Sequence, residues 1–304
     1  MLAPAAVSPI VDLHCHSTAS DGTFAPADVV RLAHQAGLSG LSLTDHDTLA
    51  GLPEAAAEAD RLGIDFVPGI EVSCAFPRPG TIHMLAYGFD VTSRPIQTLA
   101  RKLAEARQTR TAQILDRLRI AGVVLDPAEV RAEAGAMGSV GRPHIAAVLV
   151  RHGFALSTRD AFDRFLGGGG VAYVDASPLN PEQVIELVNA GGGLCSLAHP
   201  RQARRPSWDH LVALIRDFAD AGMGGLETIH STHDTDTVHR LTRLADRLGL
   251  VPTGGSDFHG TTKPWIQIGQ AAGRRTVPRE WFDEVVARTA ARRSRMNAAA
   301  GPVA

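Results

Sequence analysis

Short apolar runs alternate with amphipathic stretches over the first ninety residues, and the runs end in residues of one chemical kind. Residues 10–13 read as a buried strand leading into His14 and His16. Residues 26–37 put Val29, Val30, Ala33 and Ala36 on one helical stripe, with Pro26 near its start and Gly37 as its stop. A strand over 40–44 runs into Asp45, His46 and Asp47, and a helix over 52–62 closes at Gly63. The next strand, 66–72, bends at Pro68 and Gly69 before Glu71, and residues 81–89 form a fourth that carries His83. Such alternation predicts parallel strands with helices packed outside them.

The rhythm breaks after residue 91. Residues 94–122 read as one long polar helix, and 127–134, 143–152 and 158–165 as further helices, followed by a four-glycine return loop at 167–170. Helices without intervening strands predict an insertion, 92–175, capping a discontinuous domain made of 8–91 and 176–295. Beyond it the alternation resumes, with strands at 193–198, 225–229 and 251–256 and helices at 181–190, 208–221 and 236–248. The first and last of these strands deliver His199, and Asp257 with His259. A helix from 279 to about 292 closes the fold, and 296–304 is expected to be a frayed tail.

Composition narrows the class. With 304 residues, 44% hydrophobic and 20% charged, the chain can bury a sizeable globular core. A formal charge of -2 gives no global attraction to duplex DNA or an anionic membrane. Its 30 basic residues are 28 arginines and two lysines, Lys102 and Lys263, so each arginine must be argued by itself. Cys15, Cys74 and Cys195 are too few and scattered for a disulfide framework. The N-terminus has no secretory pattern and no run is long enough to span a bilayer, so a cytoplasmic protein is expected.

The run-ending residues then suggest chemistry. His14 and His16 are two apart in a strand and share a face, so both can reach one ion, while Cys15 points the other way. Alone that pair is weak, because paired histidines also simply finish strand edges. The recurrence down the chain is what counts: His14, His16, Asp21, His46, Glu71, His83, His199, Asp257 and His259 all fall at strand ends or adjoining loops. Nine nitrogen and oxygen ligands exceed one tetrahedral ion and suit two or three clustered divalent metals, with Glu71 as the bridge. The lack of thiolates favours Mn²⁺, with Fe²⁺ or catalytic Zn²⁺ as alternatives. Clustered metals lower the pKa of a bound water and hold phosphoryl oxygens, which makes hydrolysis the expected chemistry.

His14-x-His16, Asp21-Gly22, Thr44-Asp45-His46-Asp47, Gly69-Ile70-Glu71, His83, Ala198-His199-Pro200 and Gly255-Ser256-Asp257-x-His259 together resemble the PHP (polymerase and histidinol phosphatase) metallophosphoesterases. The resemblance implies an α/β fold, a distorted seven-stranded β/α barrel, holding up to three metals. It implies one ion among His14, His16, Glu71 and Asp257, a second among Glu71, His83 and His199, and a third among Asp21, His46 and His259. Glu71, His83, His199 and Asp257 are thereby the expected catalytic residues. The run Gly141-Arg142-Pro143-His144-Ile145-Ala146 resembles the branch acting on nucleoside 3',5'-bisphosphates and on short RNA 5' ends. That implies loss of a 3'-phosphate, or 5'-to-3' trimming of oligoribonucleotides.

Ser17, Arg142, His144, Arg201 and His233 are the candidate substrate contacts, and His230 is kept beside them. Arg142 at a helix start can grip a phosphate with its fork of donors. One departure from the branch is Arg201-Gln202-Ala203-Arg204-Arg205, which lacks an aromatic where a base could stack. Three rivals remain: a phosphatase for another small ester such as histidinol phosphate, a metal amidohydrolase, and a non-catalytic metal-binding module. Against the amidohydrolase, Lys102 and Lys263 fall outside the strand ends. Against the last, no ligand position has been lost.

Overall fold

The computed structural model describes residues 9–76, 82–135, 140–174 and 178–300. The start of the strand expected at residue 81 and the end of the tail expected at 296–304 lie outside them.

The first half of the sheet scaffold follows from buried alternation. Strands β1 (Ile10–Cys15) and β2 (Leu38–Leu43) are almost wholly buried and pair in parallel. Helix α1 (Pro26–Gln35) joins them, with Pro26 at its first turn and Val29, Val30 and Ala33 facing inward. Helix α2 (Leu52–Leu62) packs on α1 and ends on Gly63 in the left-handed conformation.

Where one bent strand was expected over 66–72, the chain makes two. Strand β3 (Asp65–Phe66) pairs with β2, and after Pro68 strand β4 (Gly69–Cys74) crosses into another sheet. Proline cannot continue the ladder. A Cβ on Gly69 would stand 2.3 Å from Ser42 Oγ, so only glycine lets the chain pass so close to β2.

The second sheet has the order β4–β5–β6–β7–β8, with β5 (Ile82–Tyr87), β6 (Leu194–Leu197), β7 (Gly225–Ile229) and β8 (Val251–Gly254). The parallel expectation fails in part. The pairs β4–β5 and β5–β6 are antiparallel, whereas β6–β7–β8 are parallel and connected by α8 (Trp208–Asp220) and α9 (Thr235–Leu248). The short strand β9 (Val277–Pro278), unforeseen from the sequence, pairs antiparallel with β1. The strands thus form a four-stranded and a five-stranded sheet, and no closed barrel is present among the described residues. Two isolated parallel bridges, Cys15 with Phe258 and His46 with Glu71, connect them. The fold class is α/β, and the break at Pro68 makes one of the two seams between the sheets, the one between β3 and β4.

Helix α3 (Arg94–Ile120) opens the helical segment and is followed by α4 (Pro127–Glu133), α5 (Arg142–Arg151) and α6 (Thr158–Ala161), which runs into a π turn. Ile114, Leu118, Val130, Ile145, Leu149, Phe165 and Val174 make a core of their own. Helix α7 (Pro181–Ala190) returns the chain, and α10 (Arg279–Ala300) closes it, eight residues longer than expected. No described helix is long and apolar enough to cross a membrane.

Candidate metal centre

The side chains meet where β1, β2, β4, β5, β6, β7 and β8 deliver their polar ends. His14 and His16 project from one face of β1 with ring centroids 5.2 Å apart, while Cys15 turns into the core and donates to Ser42 O. Glu71 sits at the middle. Its Oε1 lies 2.8 Å from His83 Nδ1 and 2.8 Å from His199 Nε2. Its Oε2 lies 3.1 Å from His14 Nε2, 3.2 Å from His16 Nε2 and 3.2 Å from His46 Nδ1. Each oxygen therefore serves a different set of imidazoles.

Asp21, from the loop after β1, reaches His16, His46 and His259 at 3.8, 3.9 and 3.4 Å. Asp257 Oδ1 lies 3.6 Å from His14 Nε2 and 3.4 Å from His16 Nε2. Four sets place their ligand atoms within 4.8 Å of one another: His16, Asp21, His46 and His259; His14, His230 and Asp257; His14, His16 and Glu71; His46, Glu71 and His83. Eight of the nine expected ligands fall in these sets, with His230 beside them; the ninth, His199, is in none of the sets but meets Glu71 Oε1 at 2.8 Å.

The electrostatics are those of a ligand set. Burial opposes ionisation of Glu71, but His46, His14 and His83 outweigh it and hold the carboxyl well below its usual range. Asp257 is likewise held well below, by His259, His16 and His230 against burial. Burial pushes His259 down to about 4, and its Nδ1 lies 2.8 Å from Asp257 O. Both ring nitrogens of His16, Nδ1 of His46 and of His199, and Nε2 of His230 are buried without a hydrogen-bond partner among the described residues. Buried polar atoms are rarely left so. Nitrogen and carboxylate donors with no thiolate facing them fit a borderline or hard divalent cation.

The backbone is bent to make this possible. Asp47, His199 and Asp257 adopt positive φ of 53°, 26° and 60° in the loops that follow β2, β6 and β8. Side chains other than glycine enter that region at a cost of about 1–3 kcal/mol each, a strain that clusters at functional sites.

Several neighbours were not legible beforehand. Glu227 on β7 is fully buried; its Oε1 accepts from His14 Nδ1 at 2.8 Å and its Oε2 from the His199 amide at 2.5 Å. Burial raises the Glu227 pKa, but His14 and His230 pull it down to about 2. A carboxylate inside an apolar strand was the available cue. Lys263 returns to the site and donates to Asp257 Oδ2 at 2.7 Å, although it lies outside any strand end. Asp12 on β1 is fully buried and accepts from the amides of His14, Ser256 and Gly269 and from the Ser256 hydroxyl.

The candidate substrate contacts disperse. Ser17 is fully buried and gives its hydroxyl to Asp45 Oδ2 at 2.7 Å. His233 is also buried, with Nδ1 donating to Thr228 O at 2.9 Å. Arg201 is exposed on the 3-10 turn Pro200–Ala203, and Arg205 stacks over Phe76 instead of facing the imidazoles. Arg142 begins α5 with its Cζ 5.7 Å from the Tyr173 ring centre. His144 Nδ1 accepts from the Gly141 amide, and the ring feels the charges of Asp21 and Arg107. Two arginines of α3 join them. Arg107 donates to His46 O and, at 3.0 Å, to Asp47 Oδ2; Arg110 comes within 4.0 Å of the same oxygen. Burial pushes Arg110 down to about 10; Asp47 opposes this, and Arg107 and Arg142 add to it.

Comparison with known proteins adds to the geometry. Residues 12–120 match the model of the PHP domain. The chain is 37% identical over 260 residues to a 5'-3' exoribonuclease of Haemophilus influenzae, covering 85% of this chain and 93% of that one. It is 33% identical over 281 residues to a 3',5'-nucleoside bisphosphate phosphatase of Chromobacterium violaceum, covering 91% and 97%. A Bifidobacterium adolescentis crystal structure, assigned as a metal-dependent phosphoesterase, superposes with a TM-score of 0.80 at 30% identity, covering 94% and 97%. Sequence and fold agree over nearly the whole length, so the chain belongs to the PHP domain family of metal-dependent phosphoesterases.

Proposed function

We propose that this enzyme hydrolyses a phosphate ester of a small nucleotide that carries a second phosphate, best a nucleoside 3',5'-bisphosphate losing its 3'-phosphate. The candidate ligands are read as three ion sites in the grouping that the family resemblance implies. His14, His16, Glu71 and Asp257 hold one; Glu71, His83 and His199 a second; Asp21, His46 and His259 a third. Manganese suits the nitrogen and carboxylate donors best. Bound there, divalent metal supplies an acidified water and a clamp on phosphoryl oxygens. This chain's own part is to fix the ligands. Glu227 orients His14 and the His199 backbone, and Lys263 engages Asp257.

The observation that carries the substrate reading is the cationic cluster beside Asp47. Residues 92–175 are read as a cap over the site, with Arg107, Arg110 and Arg142 near one another and Asp47 as the carboxylate that pairs with the first two. Three arginines against one carboxylate favour an anion at that point, and guanidinium forks suit phosphate. A second phosphate on the substrate fills that role while the scissile one lies on the metals. The 5'-phosphate of a short single-stranded oligoribonucleotide, whose first 3'-linkage is cleaved, needs the same geometry. One arrangement therefore accommodates both activities named for the relatives.

The test compares adenosine 3',5'-bisphosphate with a generic phosphate monoester, and 5'-phosphorylated with 5'-hydroxyl oligoribonucleotides, in Arg110→Ala and Arg142→Ala. Loss of a charge-assisted bond of about 1.5–3 kcal/mol predicts roughly ten- to a hundred-fold in the specificity ratio, with metal content unchanged. If both substrates fall equally, the arginines serve the fold or the ligands. If neither falls, the second phosphate is held elsewhere.

A further inference from the structure

Lys263 is one of two lysines in a chain with 28 arginines. It lies six residues past Asp257, and its return depends on a built turn. Gly260 adopts φ +73°, and a Cβ there would stand 2.1 Å from Thr23 Oγ1. The 3-10 turn Gly260–Thr262 follows, with the Lys263 amide donating to Gly260 O at 3.2 Å and the Thr261 amide to Thr23 Oγ1 at 2.9 Å. Beyond it, Ile266 packs on the core and Ile268 is buried, so the loop is anchored at both ends. The ammonium then meets Asp257 Oδ2 at 2.7 Å, with His230 Nε2 at 3.5 Å from the same oxygen. The other oxygen, Oδ1, is the one that faces His14 and His16.

We propose that Lys263 is a positioning residue: it occupies Oδ2 so that Asp257 presents Oδ1 alone to the metal shared with His14 and His16. This rests on Asp257 being a ligand, as read above. The two oxygens of Asp257 face different partners, and its backbone sits at φ +60°, so the carboxylate needs an external constraint to keep one orientation. The lysine chemistry fits in a chain that elsewhere uses arginine. An ammonium is a compact charge that takes one oxygen, whereas a guanidinium fork takes both oxygens of a carboxylate and withdraws Oδ1 from the metal.

The experiment measures metal affinity of the full chain by competition with a chromophoric chelator, and stoichiometry by elemental analysis, in Lys263→Met and Lys263→Arg. Partners of metal ligands typically contribute ten- to a hundred-fold in affinity. The expected result is a drop of about tenfold in Lys263→Met and at least as much in Lys263→Arg, with melting of the metal-free variants unchanged. Wild-type or tighter affinity in Lys263→Met overturns the proposal, since Lys263 is then a bystander or a competitor for the site. Wild-type affinity in Lys263→Arg overturns it too, because charge alone then suffices. A wild-type protein that takes up no Mn²⁺ or Zn²⁺ removes the ligand reading itself, and the proposal with it.

Discussion

Glutamine at position 71 keeps the volume of the glutamate and removes its symmetry. The carboxylate offers an acceptor to both sets of imidazoles, with Oε1 facing His83 and His199 and Oε2 facing His14, His16 and His46. The amide keeps one oxygen and turns an NH₂ group, which cannot ligate a cation, toward the other set. The shorter contacts, 2.8 Å against 3.1–3.2 Å, lie on the Oε1 side, so the oxygen is expected to stay there. The ion read between His14, His16 and Asp257 then loses its bridge. Partners that only orient a metal ligand are worth roughly ten- to a hundred-fold in affinity, and losing an oxygen that faces the ion should cost at least that much at that one site. Elemental analysis after dialysis against buffered Mn²⁺ is expected to show one equivalent fewer, with phosphate release from the nucleotide abolished. Full metal content with near-normal turnover in Glu71→Gln refutes the bridge.

Three further outcomes follow from the geometry. Gly255→Ala places a Cβ 2.4 Å from the His14 amide nitrogen, a backbone atom with nowhere to go; unfolding in urea should show a loss of about 3 kcal/mol. Asp12→Asn turns a donor toward a buried site where four donors converge, and a comparable experiment should read about 2–3 kcal/mol less stability. Burial lowers the His16 pKa, but Asp257 and Glu71 outweigh it and raise the pKa to about 9. Below that pH a proton must leave before the ring can ligate, so metal affinity should climb between pH 7 and 9 and level off above; a flat titration contradicts it.

The ligands were legible because strand ends announce themselves: an apolar run that stops on His, Asp or Glu leaves that residue at the mouth of the sheet. Glu71 and His83 lie within β4 and β5 instead of at their ends, so there the residue types carried the reading and the expected boundaries did not. Asp257 could be found from its strand end without any contact being known. Strand direction could not, because β4 and β5 alternate and bury their faces as parallel strands do, and nothing local records that β4 leaves its neighbour after Pro68. Arg107 and Arg110 were hidden for a different reason. On a helix with so many arginines, the two that turn inward differ from the rest only in what packs opposite them, Asp47. Glu227 and Asp12 act on other residues' atoms, and such support is a property of three-dimensional neighbours.

The two isolated bridges have a consequence for how the enzyme ages and fails. Cys15–Phe258 and His46–Glu71 join the sheets, and each lies within a residue of the ligand cluster. The chain at Cys15 is thus laced to Phe258, and His46 to Glu71, beside the candidate ligands. Metal removal is therefore expected to loosen the molecule along that lacing before it touches the helical core around Ile145 and Leu149. Proteases attacking metal-stripped enzyme should nick it around the loops flanking the cluster and leave the helices around Ile145 and Leu149 as a resistant fragment.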